Sequence, residues 1–473
     1  MTHFDGRRFL VLAYPAQGCL NPSLIFAETL IRVIPNSQVT FVTSLHANRR
    51  LTTTKQSSLP NDNGANNTSN LSFTPFSDGF DDGFTIDDIE RQVLEFNRRG
   101  SQAVWEILEA ARREGNPYTC LVYNFILTWA ADVAAEHKVP AAMFWLQPAT
   151  VFNIYDNYFH GYKEIIRDNS KNSSFSLSFS GIPFPMSTKD LPSFMDESTE
   201  KSSYIRFYQE IFEGLEKEGT NTKLVLANTF DELEPEVIRV INNKFNLIGI
   251  GPLIKSVSFN SSDLFQQSSL DYIEWLNTTP KMTVVYVSFG SISNLSQQQM
   301  EEIGKGLLEF GRPFLWVIRE NVKDNNNNSE LSCRKELDKL GMIVSWCSQM
   351  EVLSNESIGC FLTHCGWNST LESLASGVPM VAFPQWTDQW TNAKLVEDLW
   401  KTGVRVKPNE DGIVTSGEIK RCLELVMGEN ENGVEIVRSN AKKWQNSIKE
   451  AMKEGGSSEK NFINSMTNDL DIY

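Results

Sequence analysis

Short apolar runs alternate with longer stretches of mixed polarity along the chain, and this alternation predicts strands followed by helices. The first run, Phe9 to Tyr14, predicts a buried strand, and Ser23 to Ile34 predicts a helix with Pro22 at its first position. The same unit recurs in the first half of the chain, with further strands predicted at 38–44, 119–124, 141–146 and 223–229. This order predicts a parallel sheet with helices on both faces.

A polar stretch after Pro252 separates this half from a second one built in the same way. Its strands are predicted at 283–291, 312–320, 341–346, 359–364 and 379–384. With 473 residues, the chain is long enough for two domains that meet at a cleft. We predict an α/β fold with a first domain at 1–245, a linker at 246–270, a second domain at 271–455, and a C-terminal helix at 456–473 that packs back on the first domain.

Composition narrows the range of partners. Lys and Arg number 43 against 59 Asp and Glu, so the net charge of −16 argues against nucleic acid and anionic lipid as partners. The apolar run before Pro15 is too short to span a membrane and lacks a signal-peptide pattern, so we expect no membrane insertion and a cytoplasmic location. The seven scattered cysteines have no CxxC spacing, which predicts neither a disulfide framework nor a metal site.

The loop after the predicted strand 359–364 has the features of an anion site. Open α/β sheets bind ligands beyond the carboxyl ends of their strands. Here Gly366 permits close backbone approach, and Asn368 and Ser369 are residues that cap a helix. The free N–H groups and the dipole at such a helix start suit a diphosphate, and Glu372, one turn further on, suits ribose hydroxyls. Plain helix capping explains the same residues equally well.

The stretch from Trp346 to Gln389 resembles the plant secondary-product glycosyltransferase box. The resemblance extends over the whole chain, through YPAQGxxNP near the start, FSDGFDDGF and NTFDELEPE, and is strongest with the anthocyanin 5-O-glucosyltransferase and crocetin glucosyltransferase branch. It implies the GT-B architecture, in which two Rossmann-like doubly wound domains face a cleft. It also implies inverting transfer of glucose from UDP-glucose to a small lipophilic metabolite, such as a phenol, a flavonoid hydroxyl or a carboxylic acid, by a monomer without a further cofactor.

The same resemblance assigns roles along the box. It implies that Trp346 stacks on the uracil, that the Cys347 backbone pairs with the uracil edge, and that Gln349 lies near the nucleoside. Glu372 is implied to hold the ribose. The implied phosphate contacts are Ser291, His364, Gly366, Asn368 and Ser369. The implied sugar contacts are Trp367, Asp388 and Gln389, the last being associated in this family with glucose over galactose. Taken singly, Trp346 is also interpretable as a core residue, and Asp388 and Gln389 as surface residues; the joint match favours the donor site.

The expected catalytic base is missing. Related enzymes have histidine in the pattern PAQGHxNP, oriented by an aspartate after a later strand, whereas this chain has Cys19 and Asn124 at those positions. A free thiol with a pKa of about 8.5 is only slightly ionised at neutral pH. General base catalysis contributes roughly 10²- to 10⁴-fold, so turnover survives its loss if the acceptor is an already ionised acid or acidic phenol. Cys19 is interpreted as a small polar filler or, less favoured, as a covalent nucleophile.

Other residues offer weaker hypotheses. His46 and His160 are the candidate substitutes for the base, although a structural role is favoured for both. Apolar residues suggest an acceptor pocket, but the same residues suit a core: Phe144, Trp145, Phe152, Tyr155 and Tyr158. A second functional reading is a catalytically impaired relative that binds UDP-sugar as a sensor or a partner subunit.

Overall fold

Two parallel sheets organise the chain. The computed structural model describes residues 6–56, 70–83, 89–170, 172, 174–195, 202–217, 224–254, 270–291, 295–319, 331–428 and 431–467. Strands of the first half are β1 Arg8–Leu12, β2 Gln38–Val42, β3 Leu71–Phe73, β4 Cys120–Asn124, β5 Ala141–Trp145, β6 Ser176–Leu177, β7 Met186–Ser187, β8 Leu224–Ala227 and β9 Asn246–Gly249. Strands of the second half are β10 Val284–Ser288, β11 Phe314–Val317, β12 Met342–Val344, β13 Ile358–Thr363, β14 Met380–Ala382 and β15 Gly403–Arg405.

Helices connect the strands. Those of the first half are α1 Gln17–Val33, α2 Leu45–Gln56, α3 Ile89–Arg113, α4 Trp129–Glu136, α5 Ala149–Asn157, α6 Lys163–Asp168, α7 Ser202–Glu216 and α8 Pro235–Ile241. The others are α9 Leu270–Thr278, α10 Gln297–Phe310, α11 Arg334–Leu340, α12 Gln349–Leu353, α13 Trp367–Ser376, α14 Gln389–Lys394, α15 Ser416–Met427, α16 Glu431–Met452 and α17 Ser457–Thr467. Among the described residues, no helix combines the length and the apolar character needed to cross a bilayer.

Each sheet reverses its strand order at a central strand. The first, of seven strands, runs β3-β2-β1-β4-β5-β8-β9, and the second, of six, runs β12-β11-β10-β13-β14-β15. The order reverses beside β1 in the first sheet and beside β10 in the second, and ligands of doubly wound folds bind at such points. The loops at these points carry Cys19 after β1 and Asn124 at the end of β4. In the second sheet they carry Ser291 after β10 and His364 after β13.

The loop after β1 differs from its prediction. Helix α1 begins at Gln17, so most of the predicted tight turn is the first turn of the helix, and Pro22 lies inside it rather than at its start. Proline has no backbone N–H and therefore leaves the carbonyl four residues earlier without its helical partner. That carbonyl belongs to Gly18, and Asn368 of the second domain donates a hydrogen bond to it at 3.0 Å. The Gly18 carbonyl that Pro22 leaves unpaired within α1 thus forms a hydrogen bond between the two domains.

The first sheet also extends further than its predicted boundary at residue 245. β9, Asn246–Gly249, pairs with β8 as the edge strand of that sheet, so the start of the predicted linker belongs to the first sheet. Residues 255–269 of the predicted linker lie outside the described residues. α17 lies against this edge. Asn461 donates to the Gly249 carbonyl at 3.0 Å, and Phe462 packs on Phe26 with ring centroids 5.0 Å apart. The chain therefore crosses back to its first domain after completing the second.

Candidate active site

Three predicted donor-site residues form one hydrogen-bonded group, which we call the nucleoside corner: Gln349, Ser369 and Glu372. The Gln349 amide, at the start of α12, donates to the Ser369 hydroxyl at 2.8 Å and to a Glu372 carboxylate oxygen at 2.5 Å. The spacing of Ser369 and Glu372 places both on one face of α13, because residues three apart are neighbours on a helix. A half-buried carboxylate held in this way is a suitable acceptor for ribose hydroxyls.

Trp346 and Cys347 lie beside the nucleoside corner. Trp346 is half-buried, which is compatible with its predicted stacking on a base. Cys347 is buried, with its sulfur 3.3 Å from the hydroxyl of Tyr286, which also donates to Gln349 at 3.3 Å. The side chain of Cys347 therefore packs behind the nucleoside corner, against Tyr286. Tyr286, a central residue of β10, is a supporting residue that the sequence did not single out.

His364 occupies a slot made by two glycines. A Cβ atom at Gly290 or at Gly366 would lie 2.6 or 2.5 Å from its Nε2 atom, so neither position accepts a larger residue without movement. Burial lowers the pKa of His364 to about 4. The ring is therefore neutral at pH 7 and brings no positive charge to a phosphate, and it is hydrogen-bonded to the backbone of Ser288. Ser291 is the exposed residue next to Gly290, at the rim of the slot.

The start of α13 is open, in contrast to the capping interpretation. Its N-cap residue is Gly366, and no side chain caps the first turn. Asn368 and Ser369 do not cap the helix because their side chains bond Gly18 and Gln349 instead. The first-turn N–H groups have no carbonyl four residues back within the helix and carry the positive end of the dipole. The geometry therefore favours the anion site over plain capping.

The residues Gln385–Gln389, which we call the sugar loop, hold the two predicted sugar contacts in a fixed turn. Asp388 is buried and accepts hydrogen bonds from Thr387 at 2.6 Å, Asn392 at 2.6 Å and Gln147 of the first domain at 3.3 Å. Burial raises the pKa of Asp388, and these bonds oppose the rise. The Gln389 side-chain oxygen accepts the backbone N–H groups of residues 385 and 386, at 2.9 and 3.1 Å. The turn is therefore pre-formed.

Trp367 is placed differently from its prediction as a sugar contact. Its indole is 4% exposed and donates to the Asn228 carbonyl of the first domain at 2.7 Å. It packs in an apolar cluster with Phe230, Leu233 and Trp400 that joins the two domains. The large apolar area of the ring is better buried there than left in a polar sugar site. The Trp367 side chain is an interdomain anchor, and only its backbone belongs to the start of α13.

At the catalytic position, Cys19 lies in the first turn of α1 and is 6% exposed. Burial raises the pKa of its thiol to about 12, so the sulfur stays protonated at neutral pH. Asn124 does not orient it: its oxygen accepts the Tyr14 backbone N–H at 2.8 Å, and its amide donates to the Ser23 hydroxyl at 2.9 Å. A protonated, buried thiol is neither a base nor a nucleophile, which supports the interpretation of Cys19 as a filler.

The two substitute histidines lie in different surroundings. His160 is 40% exposed in its side chain and lies in a surface ion cluster, 3.1 Å from Asp156 and 3.0 Å from Glu216. The Lys244 ammonium already joins the same two carboxylates, at 2.7 and 2.5 Å, so a cationic group is already bound between them. Burial and the neighbouring Arg50 charge lower the pKa of His46, whose ring packs against the loop at residue 83.

The predicted acceptor residues belong to the core of the first domain. Phe144, Trp145, Phe152 and Tyr155 are all 0% exposed, and Tyr158 is 1% exposed. Phe144 and Trp145 lie on the central strand β5, while Phe152 and Tyr155 lie on α5. Trp145 meets Phe152 edge-on at 5.2 Å. This packing buries the apolar surface of these side chains, so none of it is left to line a pocket. The interpretation of these residues as core is correct, and their assignment to an acceptor pocket is wrong.

A different set of aromatic residues joins α7 to the sugar loop, and we call it the aromatic surface: Phe194, Tyr204, Phe207, Tyr208 and Trp386. Phe194 and Tyr208 are its buried members, and the other three are more exposed. Phe194 stacks on Tyr204 at 4.6 Å, and Trp386 of the sugar loop meets Phe194 at 6.0 Å. Tyr204 is 40% exposed, and Gln147 bridges the Tyr208 hydroxyl and Asp388 at 3.0 and 3.3 Å. The sequence reading missed these residues because their signal, three aromatics on one face of α7, is the same as that of a core helix.

Comparison with known proteins gives consistent results. A family profile described as UDP-glucoronosyl and UDP-glucosyl transferase matches residues 220–440. The chain is 52% identical to phloretin 4'-O-glucosyltransferase of Malus domestica and 49% identical to the chloroplastic crocetin glucosyltransferase of Gardenia jasminoides, covering 96% of both chains in each case. Among solved structures, Os79 of O. sativa in complex with UDP aligns with a TM-score of 0.82 at 32% identity, over 98% of this chain and 100% of that one. These matches confirm the predicted family and its two-domain architecture.

Proposed function

This chain belongs to the UDP-glucosyl and UDP-glucuronosyl transferase family and is a UDP-dependent glycosyltransferase, and we propose that it glucosylates acceptors that are already anionic at neutral pH. These are carboxylic acids and strongly acidic phenols. One observation carries the proposal: the position of the expected base holds a buried thiol with a pKa of about 12. A group that stays protonated cannot take a proton from a neutral hydroxyl.

The chemistry balances without a base. A carboxylate oxygen of the acceptor attacks the anomeric carbon from the side opposite UDP, and a new C–O bond forms. The bond from that carbon to the diphosphate oxygen breaks, and its electron pair leaves with UDP. No proton is removed from the acceptor, so the remaining requirements are positioning and stabilisation of charge on the leaving diphosphate.

The donor half supports this role. The open N-terminus of α13 lies next to the neutral His364, and the backbone N–H groups of its first turn can donate hydrogen bonds to the leaving diphosphate. Glu372 and Gln349 are suited to the ribose and nucleoside, and Asp388 and Gln389 to the sugar. The relatives whose names include phloretin and crocetin support a small lipophilic acceptor for this chain as well, and the aromatic surface is its proposed contact.

The experiment is a panel of matched acceptors with labelled UDP-glucose. We expect an aromatic carboxylic acid to be glucosylated at least about 10²-fold faster than the corresponding benzylic alcohol, the lower range of a general base contribution. Because burial raises the pKa of the Cys19 thiol, the rate with the alcohol should show no inflection at the ordinary thiol pKa of about 8.5. Equal rates for acid and alcohol would contradict the proposal.

The same altered base supports a second candidate, a relative that binds UDP-sugar without transferring it. Calorimetric binding of UDP-glucose together with no product from any acceptor would favour this candidate.

We also propose a cytoplasmic monomer. All seven cysteines are free thiols, which suits a reducing compartment, and both substrate regions come from a single chain. Light scattering of the purified protein tests the monomer.

A further inference from the structure

The segment Ser187–Met195, which we call the docking segment, reaches from the first domain onto the second beside the sugar loop. It follows β7 and precedes α7 in the chain. Its contacts with the second domain come from Asp190, Ser193 and Phe194, and each one falls on or near the residues proposed to contact the donor sugar.

Asp190 anchors the docking segment. Its carboxylate pairs with Arg405 at 2.7 Å and accepts hydrogen bonds from the backbone and hydroxyl of Ser187 at 2.9 and 2.7 Å. Its carbonyl accepts a bond from Thr391 at 2.8 Å. Burial acts to raise the pKa of this carboxyl, but the Ser187 bonds and the Arg405 charge outweigh it, so the pKa is lowered. The carboxylate is thus charged and held in place at neutral pH.

Ser193 forms a reciprocal pair of hydrogen bonds with Thr387 of the sugar loop. The Ser193 backbone N–H donates to the Thr387 carbonyl at 2.9 Å, and the Thr387 backbone N–H donates to the Ser193 hydroxyl at 2.8 Å. Thr387 has a φ of 56°, a left-handed conformation that is unfavourable for a β-branched residue. Such a conformation persists only where its surroundings hold it. Ser193 supplies two of the bonds that do so.

The conformation of Thr387 sets the direction of the next two residues. The Thr387 hydroxyl donates to Asp388 at 2.6 Å, and the Gln389 side chain bonds the two residues that precede Thr387. A change in the backbone at Thr387 would therefore move both Asp388 and Gln389. The nucleoside corner has no bond to this turn among those described, since its contacts run between α12 and α13.

We propose that Ser193 is a positioning residue for the donor sugar: by holding Thr387 from the other domain, it fixes Asp388 and Gln389 against the glucose hydroxyls. The inference rests on the proposed donor role of those two residues. It also places donor-sugar recognition partly under the control of the first domain. Phe194, the next residue, carries the aromatic surface proposed for the acceptor, so the same segment contacts both substrates.

The test compares binding of UDP-glucose and UDP to the full chain by calorimetry without acceptor. Ser193→Ala should weaken UDP-glucose binding about fivefold, the factor that one net hydrogen bond accounts for, and leave UDP binding unchanged. Ser193→Thr retains the hydroxyl and should restore UDP-glucose binding. Ser458→Ala is the matched control, because the Ser458 hydroxyl also bonds a backbone carbonyl distant in sequence, that of Gly251 at 2.6 Å, and has no described bond to the sugar loop.

The outcomes separate this inference from the proposed function. Equal weakening of UDP and UDP-glucose by Ser193→Ala, or no weakening of either, would overturn the positioning role. A selective loss for UDP-glucose that Ser193→Thr restores and Ser458→Ala does not reproduce would support it, even if the protein glucosylates no acid. Normal glucosylation of acids together with unchanged UDP-glucose binding in Ser193→Ala would overturn the inference and leave the proposed function in place.

Discussion

The donor and acceptor sides of the cleft are built in different ways. The proposed donor side comes mainly from one continuous stretch of the second domain, in which the Gln349 amide bonds both Ser369 and Glu372. The proposed acceptor side combines the first turn of α1, the docking segment, α7 and the sugar loop. A site made from one stretch keeps its spacing in the sequence, so its residues are recognisable together. A site made from distant segments has no such spacing, and single substitutions such as Cys19 change its chemistry without altering the donor side.

The largest expected effect restores the missing base. Cys19→His combined with Asn124→Asp should raise kcat/KM for a neutral phenol or alcohol by roughly 10²-fold, because imidazole at this position accepts the proton and aspartate orients it. The rate with a carboxylic acid should change little. The Asn124→Asp change keeps a side-chain oxygen for the Tyr14 N–H that Asn124 now binds.

The single variants are the controls for this prediction. Asn124→Asp alone should give no gain, because Cys19 remains protonated beside it. Equal rates for the parent, both single variants and the double variant on the phenol would show that position 19 does not face the acceptor.

On the donor side, Glu372→Ala should weaken UDP binding by roughly 10- to 100-fold, the range for losing hydrogen bonds to a charged group. The carboxylate is the proposed ribose acceptor and also holds Gln349. Glu356→Ala is a matched control, since Glu356 is a surface residue of the same domain paired with Lys281 at 2.6 Å. Calorimetry with UDP gives both values, and an unchanged affinity in Glu372→Ala would remove the ribose assignment.

A methyl group at Gly366 tests the His364 slot. Gly366→Ala places a Cβ atom 2.5 Å from the His364 ring nitrogen and should weaken UDP binding about tenfold, while the overpacking destabilises the fold by about 1–3 kcal/mol. The backbone at Gly366 suits alanine, with a φ of −58°, so the effect is steric. Gly417→Ala, with nothing within 4 Å of the added Cβ, is the control in melting and binding assays. A Gly366→Ala protein that binds UDP normally would contradict the slot.

The smallest expected effect concerns the sugar. The parent should prefer UDP-glucose to UDP-galactose, and Gln389→Ala should reduce that preference by about five- to tenfold, the loss expected for one or two hydrogen bonds. Gln385→Ala is the neighbouring control, because the Gln385 amide bonds only backbone carbonyls of residues 383 and 384 among its described side-chain contacts. Competition between the two donors measures the ratio. A parent protein that prefers UDP-galactose would show that the family association of glutamine at this position with glucose does not hold for this chain.

The local sequence was sufficient for the long apolar strands and the helices between them. β1, β4, β5, β10 and β13 lie where the pattern predicts them, because strands buried on both faces are continuous apolar runs. The pattern missed β3 and β15, because neither is a continuous apolar run, whereas the equally short β12 and β14 are and were predicted. The pattern also placed the start of α1 too late, because Pro22 suits a first helical position. Inside the helix, Pro22 leaves the Gly18 carbonyl without its helical partner, and the bond from Asn368 of the second domain replaces that partner.

The sequence by itself determined the family, the two parallel-sheet domains and the grouping of donor residues, because these depend on spacing within continuous stretches. Tertiary structure decided the rest. It made Phe144, Trp145 and Phe152 core residues, turned the Trp367 indole toward the first domain, and buried the Cys19 thiol so that it stays protonated. Whether an aromatic side chain lines a pocket, or a thiol ionises, depends on what packs around it, and those neighbours come from parts of the chain far apart in sequence.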